Sequence, residues 1–293
     1  MSSFMHSSDS DPFLSQWTQH GQTQGIPDLP EGTVLLDGRY TIGGRLGSGG
    51  FSATFLAYDA LRGKDVALKI AEAGPCDPQV AGQVLENEAK IYALIGGDPN
   101  ILTVYDLHFI RYGNTGFLAM SMEVAAESLQ TWLLRHKDDH QARVAQGLEY
   151  FKILLRALSA VHRAGTVHLD VKPANCLFVH GKLKLGDFGS ARIFQTIQLT
   201  SGIEVPNLAC RIGTPAYMSS ELLTAAHPDD VDGRADLYSL GCVLYEMLHR
   251  KCHPPFGGSL EELRERHLHF TPPRLEGVSE KIARVVARCL EKK

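Results

Sequence analysis

One string constrains this chain more than any other: His168-Leu169-Asp170-Val171-Lys172-Pro173-Ala174-Asn175, followed by Asp187-Phe188-Gly189. An acid, a lysine and an asparagine share one short loop, and a second acid stands a little downstream. Such a set suits phosphoryl transfer, where a protein mostly positions groups and neutralises charge. Asp170 can accept a proton from a hydroxyl nucleophile, and Lys172 can neutralise charge on the moving phosphoryl group. Asn175 and Asp187 can hold magnesium.

The upstream sequence carries matching parts in the matching order. Gly47-Ser48-Gly49-Gly50-Phe51-Ser52 follows a strand-like run, Tyr40-Thr41-Ile42. Small residues there let backbone N–H groups approach triphosphate oxygens, although tight turns also use glycine. Val66-Ala67-Leu68-Lys69 reads as a buried strand ending in a cation for the α- and β-phosphates. Apolar Val84, Leu85, Ala89, Ile91, Tyr92, Leu94 and Ile95 predict an amphipathic helix over Gln83–Ile95. On it Glu88, rather than Glu86, is expected to pair with Lys69.

Further on come Gly213-Thr214-Pro215-Ala216-Tyr217-Met218-Ser219-Ser220-Glu221 and Asp236-Leu237-Tyr238-Ser239-Leu240-Gly241. With these the chain, from about Tyr40 to Lys293, resembles a eukaryotic-type serine/threonine protein kinase domain. Leu36-Asp37-Gly38-Arg39-Tyr40 is similar to bacterial members. The resemblance implies an α+β bilobal fold, with a strand-rich N-lobe carrying one main helix and a mostly helical C-lobe. The expected divisions are a disordered or extended arm over 1–33, an N-lobe over 34–122, and hinge and C-lobe over 123–293.

The same resemblance implies ATP and Mg2+, with Mn2+ as the alternative ion, and protein Ser/Thr hydroxyls as acceptors. The backbone of Glu123 and Ala125 is expected to bind adenine, with Met122 guarding the back and Ala67, Thr54 and Leu177 sandwiching the ring. Gly47 to Ser52 would cover the phosphates, and Lys69, fixed by Glu88, would orient them. Thr214 is expected to hydrogen-bond the Asp170–Lys172 pair and to line the acceptor site.

Composition bounds the alternatives. The 293 residues are 44% hydrophobic, enough for a sizeable core, and a net charge of −4 argues against a nucleic-acid-binding module. No apolar run has the length of a membrane span, and no basic start followed by an apolar stretch marks a secretory signal. Six cysteines, at 76, 176, 210, 242, 252 and 289, form no CxxC pair and read as reduced thiols of a cytoplasmic protein. His249, Cys252 and His253 read as a loop rich in His and Pro rather than a metal site. Residues 1 to 33 are polar and aperiodic, with Phe4, Phe13, Leu14 and Trp17 able to pack on the smaller lobe. Helical spacing joins Tyr150, Phe151, Leu154, Leu155, Leu158, Val161 and His162, and again Leu237, Leu240, Val243, Leu244, Met247 and Leu248.

The chain also departs from the family pattern. Ser52 replaces the third loop glycine, and Thr54 replaces a usual valine of nearly its shape. Leu169 stands where regulated kinases carry an arginine that reads an activation-loop phosphate; leucine cannot pair with phosphate, although autophosphorylation at Thr196, Thr200, Ser201 or Thr214 remains open. Asp187 to Glu221 makes a long activation segment. Ser219-Ser220-Glu221 replaces alanine-proline-glutamate, and the chain ends before the helix whose arginine normally pairs with that glutamate. Glu221 is therefore expected to be a buried acid without its partner, and a regulatory region beyond Lys293 is expected. The leading reading is an active kinase. The alternative is a pseudokinase serving as a docking module, which the presence of all four core residues disfavours. A small-molecule kinase of related fold ranks lowest.

Overall fold

The structure, a computed structural model, describes residues 29–48, 52–71, 78–113, 115–191, 214–224 and 231–292. The described residues divide into two compact units. One runs up to Glu86 and includes Tyr105–Met122; the other comprises Asn87–Val104 and the residues from Glu123 onward.

The first unit is a six-stranded sheet of β1 (Val34–Leu35), β2 (Tyr40–Ser48), β3 (Ser52–Asp59), β4 (Lys64–Ala71), β5 (Val104–Tyr112) and β6 (Thr115–Met122), in the order β1-β2-β3-β4-β6-β5. Successive side chains of a strand point to opposite faces, so register decides what each face holds. Ala53, Phe55 and Ala57 of β3 and Val66, Leu68 and Ile70 of β4 turn to one face. There they form a core with Tyr40, Ile42, Ile110, Phe117 and Ala119. Leu36, Asp37 and Gly38 all adopt positive φ to turn β1 back into β2, and glycine suits the last of them.

The described part of the expected arm packs on this sheet. Leu29 is buried in the core, Gly32 N–H donates to the Ile42 carbonyl at 2.8 Å, and Ile42 N–H to that of Thr33 at 2.8 Å. Residues 1–28 lie outside the described residues, as do Gly49, Gly50 and Phe51 of the glycine loop. The helix expected over Gln83–Ile95 begins earlier, as α1 (Pro78–Ile95). Proline tolerates a first helical turn because its missing N–H would be unpaired there anyway.

The second unit carries a small sheet, β7 (Glu127–Ser128), β8 (Cys176–Val179) and β9 (Lys182–Leu185), and helices α2 (Leu129–Arg135), α3 (His140–Arg163), α4 (Ser220–Thr224), α5 (Arg234–Leu248), α6 (Leu260–His269) and α7 (Glu280–Cys289). Helix α5 is buried on nearly every side, which is why its sequence is apolar around most of its circumference. No helix among the described residues is long and apolar enough to cross a membrane.

One buried charge organises the helix ends. Arg143 on α3 is fully buried. Its guanidinium donates to the carbonyls of Met247 (3.2 Å), His136 (2.7 Å), His249 (2.7 Å) and Arg250 (3.0 Å), and to that of Lys137. These carbonyls stand at the C-terminal ends of α2 and α5, where the last carbonyls lack helical partners and the dipole is negative. The cation thus gains hydrogen bonds and a favourable field without a carboxylate.

Candidate active site

In the first unit the sheet register places several expected site residues on one face. Thr54 lies opposite Lys69, Ala67 opposite Met122, and Lys69 opposite Met120. Thr54, Ala67, Lys69 and Met122 therefore project from the face opposite the core, and Gly47, paired with Thr54, joins them. A Cβ built on Gly47 would meet nothing within 4 Å, so this glycine leaves open space above the strand.

In the second unit the loop His168–Asn175 is held from below by Asp236 of α5. Its buried carboxylate accepts from His168 N–H at 2.9 Å, from Leu169 N–H at 2.8 Å and from His162 Nε2 at 2.8 Å. Leu169 adopts φ +66°, a conformation a leucine rarely takes, and these bonds hold it there. Asp170 is consequently presented in a fixed position. Its Oδ2 meets Lys172 Nζ at 2.7 Å and accepts from Asn175 Nδ2 at 3.0 Å.

Asn175 also donates Nδ2 to the Asp170 carbonyl at 2.9 Å. Both bonds use its amide nitrogen, leaving the Oδ1 lone pairs for a cation. Asp187 sits at φ +61°, its N–H donating to Tyr92 Oη at 3.0 Å. Burial, then the charges of Glu88 and Asp187, push the Tyr92 phenol well above its ordinary pKa. Both carboxylates therefore lie near that ring. Glu86 and Glu88 are both buried. Phe188, fully buried, meets Tyr92 edge-on at 4.8 Å and His168 at 4.6 Å.

The hinge is tied by its own side chain. Glu123 N–H donates to the Thr103 carbonyl at 3.0 Å, Thr103 N–H returns a bond to Glu123 Oε1 at 2.7 Å, and Lys184 Nζ pairs with the same carboxylate at 2.5 Å. Among the described residues neither the Glu123 carbonyl nor the Ala125 N–H takes part in a backbone hydrogen bond. An acceptor and a donor two residues apart fit the edge of an adenine. Leu177 on β8 is half-buried and would meet a Cβ on Gly186 at 3.3 Å.

Past the activation segment, most of which (192–213) lies outside the described residues together with Thr196, Thr200, Ser201 and Gly213, Thr214 leads into a 3-10 turn, Pro215–Tyr217. The turn rests on α5: Ser239 Oγ donates to the Tyr217 carbonyl at 2.7 Å, and Tyr217 Oη to Glu246 Oε2 at 2.7 Å.

Two expectations need correction. Among the described residues Thr214 makes no hydrogen bond to Asp170 or Lys172, which pair with each other at 2.7 Å and keep further donors and acceptors. Glu221 is half-buried rather than buried, and its carboxylate accepts from Ser220 Oγ at 3.3 Å, so part of its charge stays hydrated. Leu169, read from sequence only as a missing arginine, has a positive role. It packs in a buried cluster with Met218, Leu222, Val231 and Ala235. Apolar Met218, before the start of α4, and Leu222 on it were the available signal for that contact. The anchoring roles of Asp236, Arg143 and Tyr92 had no local signal.

A two-unit arrangement of strand-rich sheet and helical body, with an acid–lysine–asparagine loop and an Asp-Phe-Gly turn, defines a protein kinase domain. The family model described as the protein kinase domain matches residues 40–293. The chain belongs to this family, as a serine/threonine protein kinase domain of the bacterial type. It is 36% identical over 225 residues to a probable serine/threonine-protein kinase of Streptomyces coelicolor, covering 76% of this chain and 32% of that protein. It is 33% identical over 273 residues to the serine/threonine-protein kinase PknB of Mycobacterium leprae, covering 88% and 40%. A probable PknB of Bifidobacterium longum is 32% identical over 253 residues, covering 82% and 34%. The chain thus spans about a third to two-fifths of the length of these curated relatives.

Proposed function

We propose that this domain is an active kinase that transfers the γ-phosphoryl group of magnesium-bound ATP to Ser and Thr hydroxyls of proteins, in the cytoplasm. The observation that carries the reading is the Asp170 carboxylate, bonded to Lys172 and Asn175 on a loop anchored to buried Asp236. Magnesium-bound ATP supplies the transferable phosphoryl group when bound. Asp170 orients the acceptor hydroxyl and takes its proton as the acceptor oxygen bonds to the γ-phosphorus and the bond from that phosphorus to the bridging oxygen breaks, ADP being the leaving group. Lys172, beside it, stabilises the charge spreading over the transferring group, where most of the barrier reduction arises. Asn175 and Asp187 are the metal-holding residues; Lys69, with Glu88 as its partner, orients the phosphates.

Gly47, Ser48, Gly49, Gly50, Phe51 and Ser52 cover the phosphates. Thr54, Ala67, Met122, Glu123, Ala125 and Leu177 receive the adenine. Thr214 lines the acceptor site. Activation does not depend on reading an activation-loop phosphate through residue 169, since Leu169 is engaged in an apolar cluster. Control comes instead from partner binding, from the arm at 1–33, or from a regulatory region beyond Lys293.

Intact mass after incubation with magnesium and ATP tests the reading. Increments of one phosphoryl group, lost when magnesium is chelated, are expected. No increment together with no ATP turnover would make the domain a pseudokinase docking module.

A further inference from the structure

Strand β9 reaches the hinge through one side chain that the transfer chemistry leaves unused. Lys184, the third residue of β9, lies opposite Leu177 of β8 in the antiparallel register, so the two side chains share a face of the small sheet. Leu183 and Leu185 turn to the other face and are buried. Backbone bonds fasten the strand to the segment before β5. Leu185 N–H donates to the Asn100 carbonyl at 2.8 Å, and Leu102 N–H to the Leu185 carbonyl at 2.8 Å.

From this fixed strand Lys184 Nζ reaches Glu123 Oε1 at 2.5 Å and Thr103 Oγ1 at 3.4 Å. The Lys184 and Glu123 side chains are each only 12% exposed. A pair so withdrawn from water holds its geometry, because separating it leaves two charges short of hydration. Glu123 is therefore pinned at three points: its N–H on the Thr103 carbonyl, and its carboxylate under Thr103 N–H and Lys184 Nζ. Past it, Ala126 N–H donates to the Phe178 carbonyl at 2.8 Å. Between these two anchors, among the described residues, the Glu123 carbonyl and the Ala125 N–H make no backbone hydrogen bond.

We propose that Lys184 is a positioning residue for the nucleobase: by clamping the Glu123 carboxylate it fixes the direction of the Glu123 carbonyl, and so sets the preference for a purine bearing a 6-amino group. The inference rests on the hinge receiving adenine through Glu123 and Ala125. The 6-amino group donates to the carbonyl, and a purine without it leaves that acceptor unpaired. Such a bond discriminates only while the acceptor is aimed. Ring nitrogen N1 accepts from the Ala125 N–H with or without the amino group, so that contact does not discriminate.

The test is calorimetric binding of adenosine and of purine riboside, which lacks only the 6-amino group, with no phosphate or magnesium present. Wild type is expected to bind adenosine about tenfold more tightly, as for one directed hydrogen bond. Lys184→Met keeps the length of the side chain and removes its charge. It is expected to bring the two affinities within about twofold, weakening adenosine and leaving purine riboside nearly unchanged. Combining Lys184→Met with Glu123→Gln removes both charges at nearly constant shape, so no unpaired buried charge is left to unfold the unit. The preference should be lost there too. If wild type itself binds the two nucleosides alike, the hinge reading falls and the proposal with it. If wild type prefers adenosine and a folded variant does so equally, or if both nucleosides weaken alike, only the role of Lys184 falls.

Discussion

Asp236 holds Leu169 in place: Oδ1 accepts the Leu169 N–H at 2.8 Å, from a helix 67 residues away in sequence. The same carboxylate takes the His168 N–H and the His162 ring. Replacing it by asparagine keeps the shape but removes the charge and half of its acceptor capacity. Asp236→Asn is expected to lower the unfolding free energy by about 2–4 kcal/mol, since buried donors lose their acceptor. Urea titration measures this; a loss under about 0.5 kcal/mol, the range of surface substitutions, would refute the anchoring role.

Leu169 replaces phosphate reading by apolar packing. Treatment with phosphatase is expected to change the initial rate on a generic protein acceptor little, and Thr200→Ala and Ser201→Ala are expected to be tolerated. Leu169→Ala should cost about 2–3 kcal/mol of stability, because it opens a cavity beside Met218 and Leu222. A large loss of rate on dephosphorylation, recovered on autophosphorylation, would show that another basic group reads the phosphate.

Asp170→Asn and Asp187→Asn are expected to leave the fold intact and to lower transfer by roughly 10²-fold or more, as expected for the loss of a base-positioning acid or a metal ligand. Melting temperature and initial rate are the paired measurements. Wild-type transfer by either variant at ordinary magnesium would sink the assignment.

Lys69→Met is expected to reduce turnover far more than nucleotide affinity, because the lysine sets geometry while several other groups share the binding. Glu88→Gln should behave the same way and Glu86→Gln should not. Both glutamates are buried, so the comparison is between two plausible partners. Full activity in Glu88→Gln with loss in Glu86→Gln would transfer the role to Glu86.

His267 gives a pH signature. Burial, then the charge of Lys292, pushes its folded pKa down to about 4, below the ordinary value of 6.5. A depressed pKa means that the unfolded chain binds the proton first as pH falls, so the neutral ring's contribution is present above pH 6.5 and is lost progressively towards pH 4. The loss is on the order of 3 kcal/mol once both states are protonated. Unfolding titrations at pH 7 and pH 5 should show wild type losing more stability than His267→Gln. Parallel losses would show that His267 does not titrate in this window.

Much of the site was legible in the sequence because its chemistry is written in short strings. Loop and turn residues 168–175 and 187–189 carry their spacing with them, a short apolar run marked β4, and a period of about 3.6 marked α3 and α5. The family and the α+β architecture follow from the order of those strings. Position relative to distant chain was another matter. The resemblance to the family put Thr214 on the Asp170–Lys172 pair and left Glu221 a buried acid; among the described residues that hydrogen bond is not made and Glu221 is half-buried. The left-handed backbone of Leu169 depends on a carboxylate brought from α5, the buried charge of Arg143 on two helix ends that converge only after folding, and the tautomer of His267 on Tyr238 and Lys292 from two other segments. Local periodicity and motif fix residue type and secondary structure; burial, orphaned carbonyls and long-range hydrogen bonds exist only once the chain has packed, and they decide what each side chain can do.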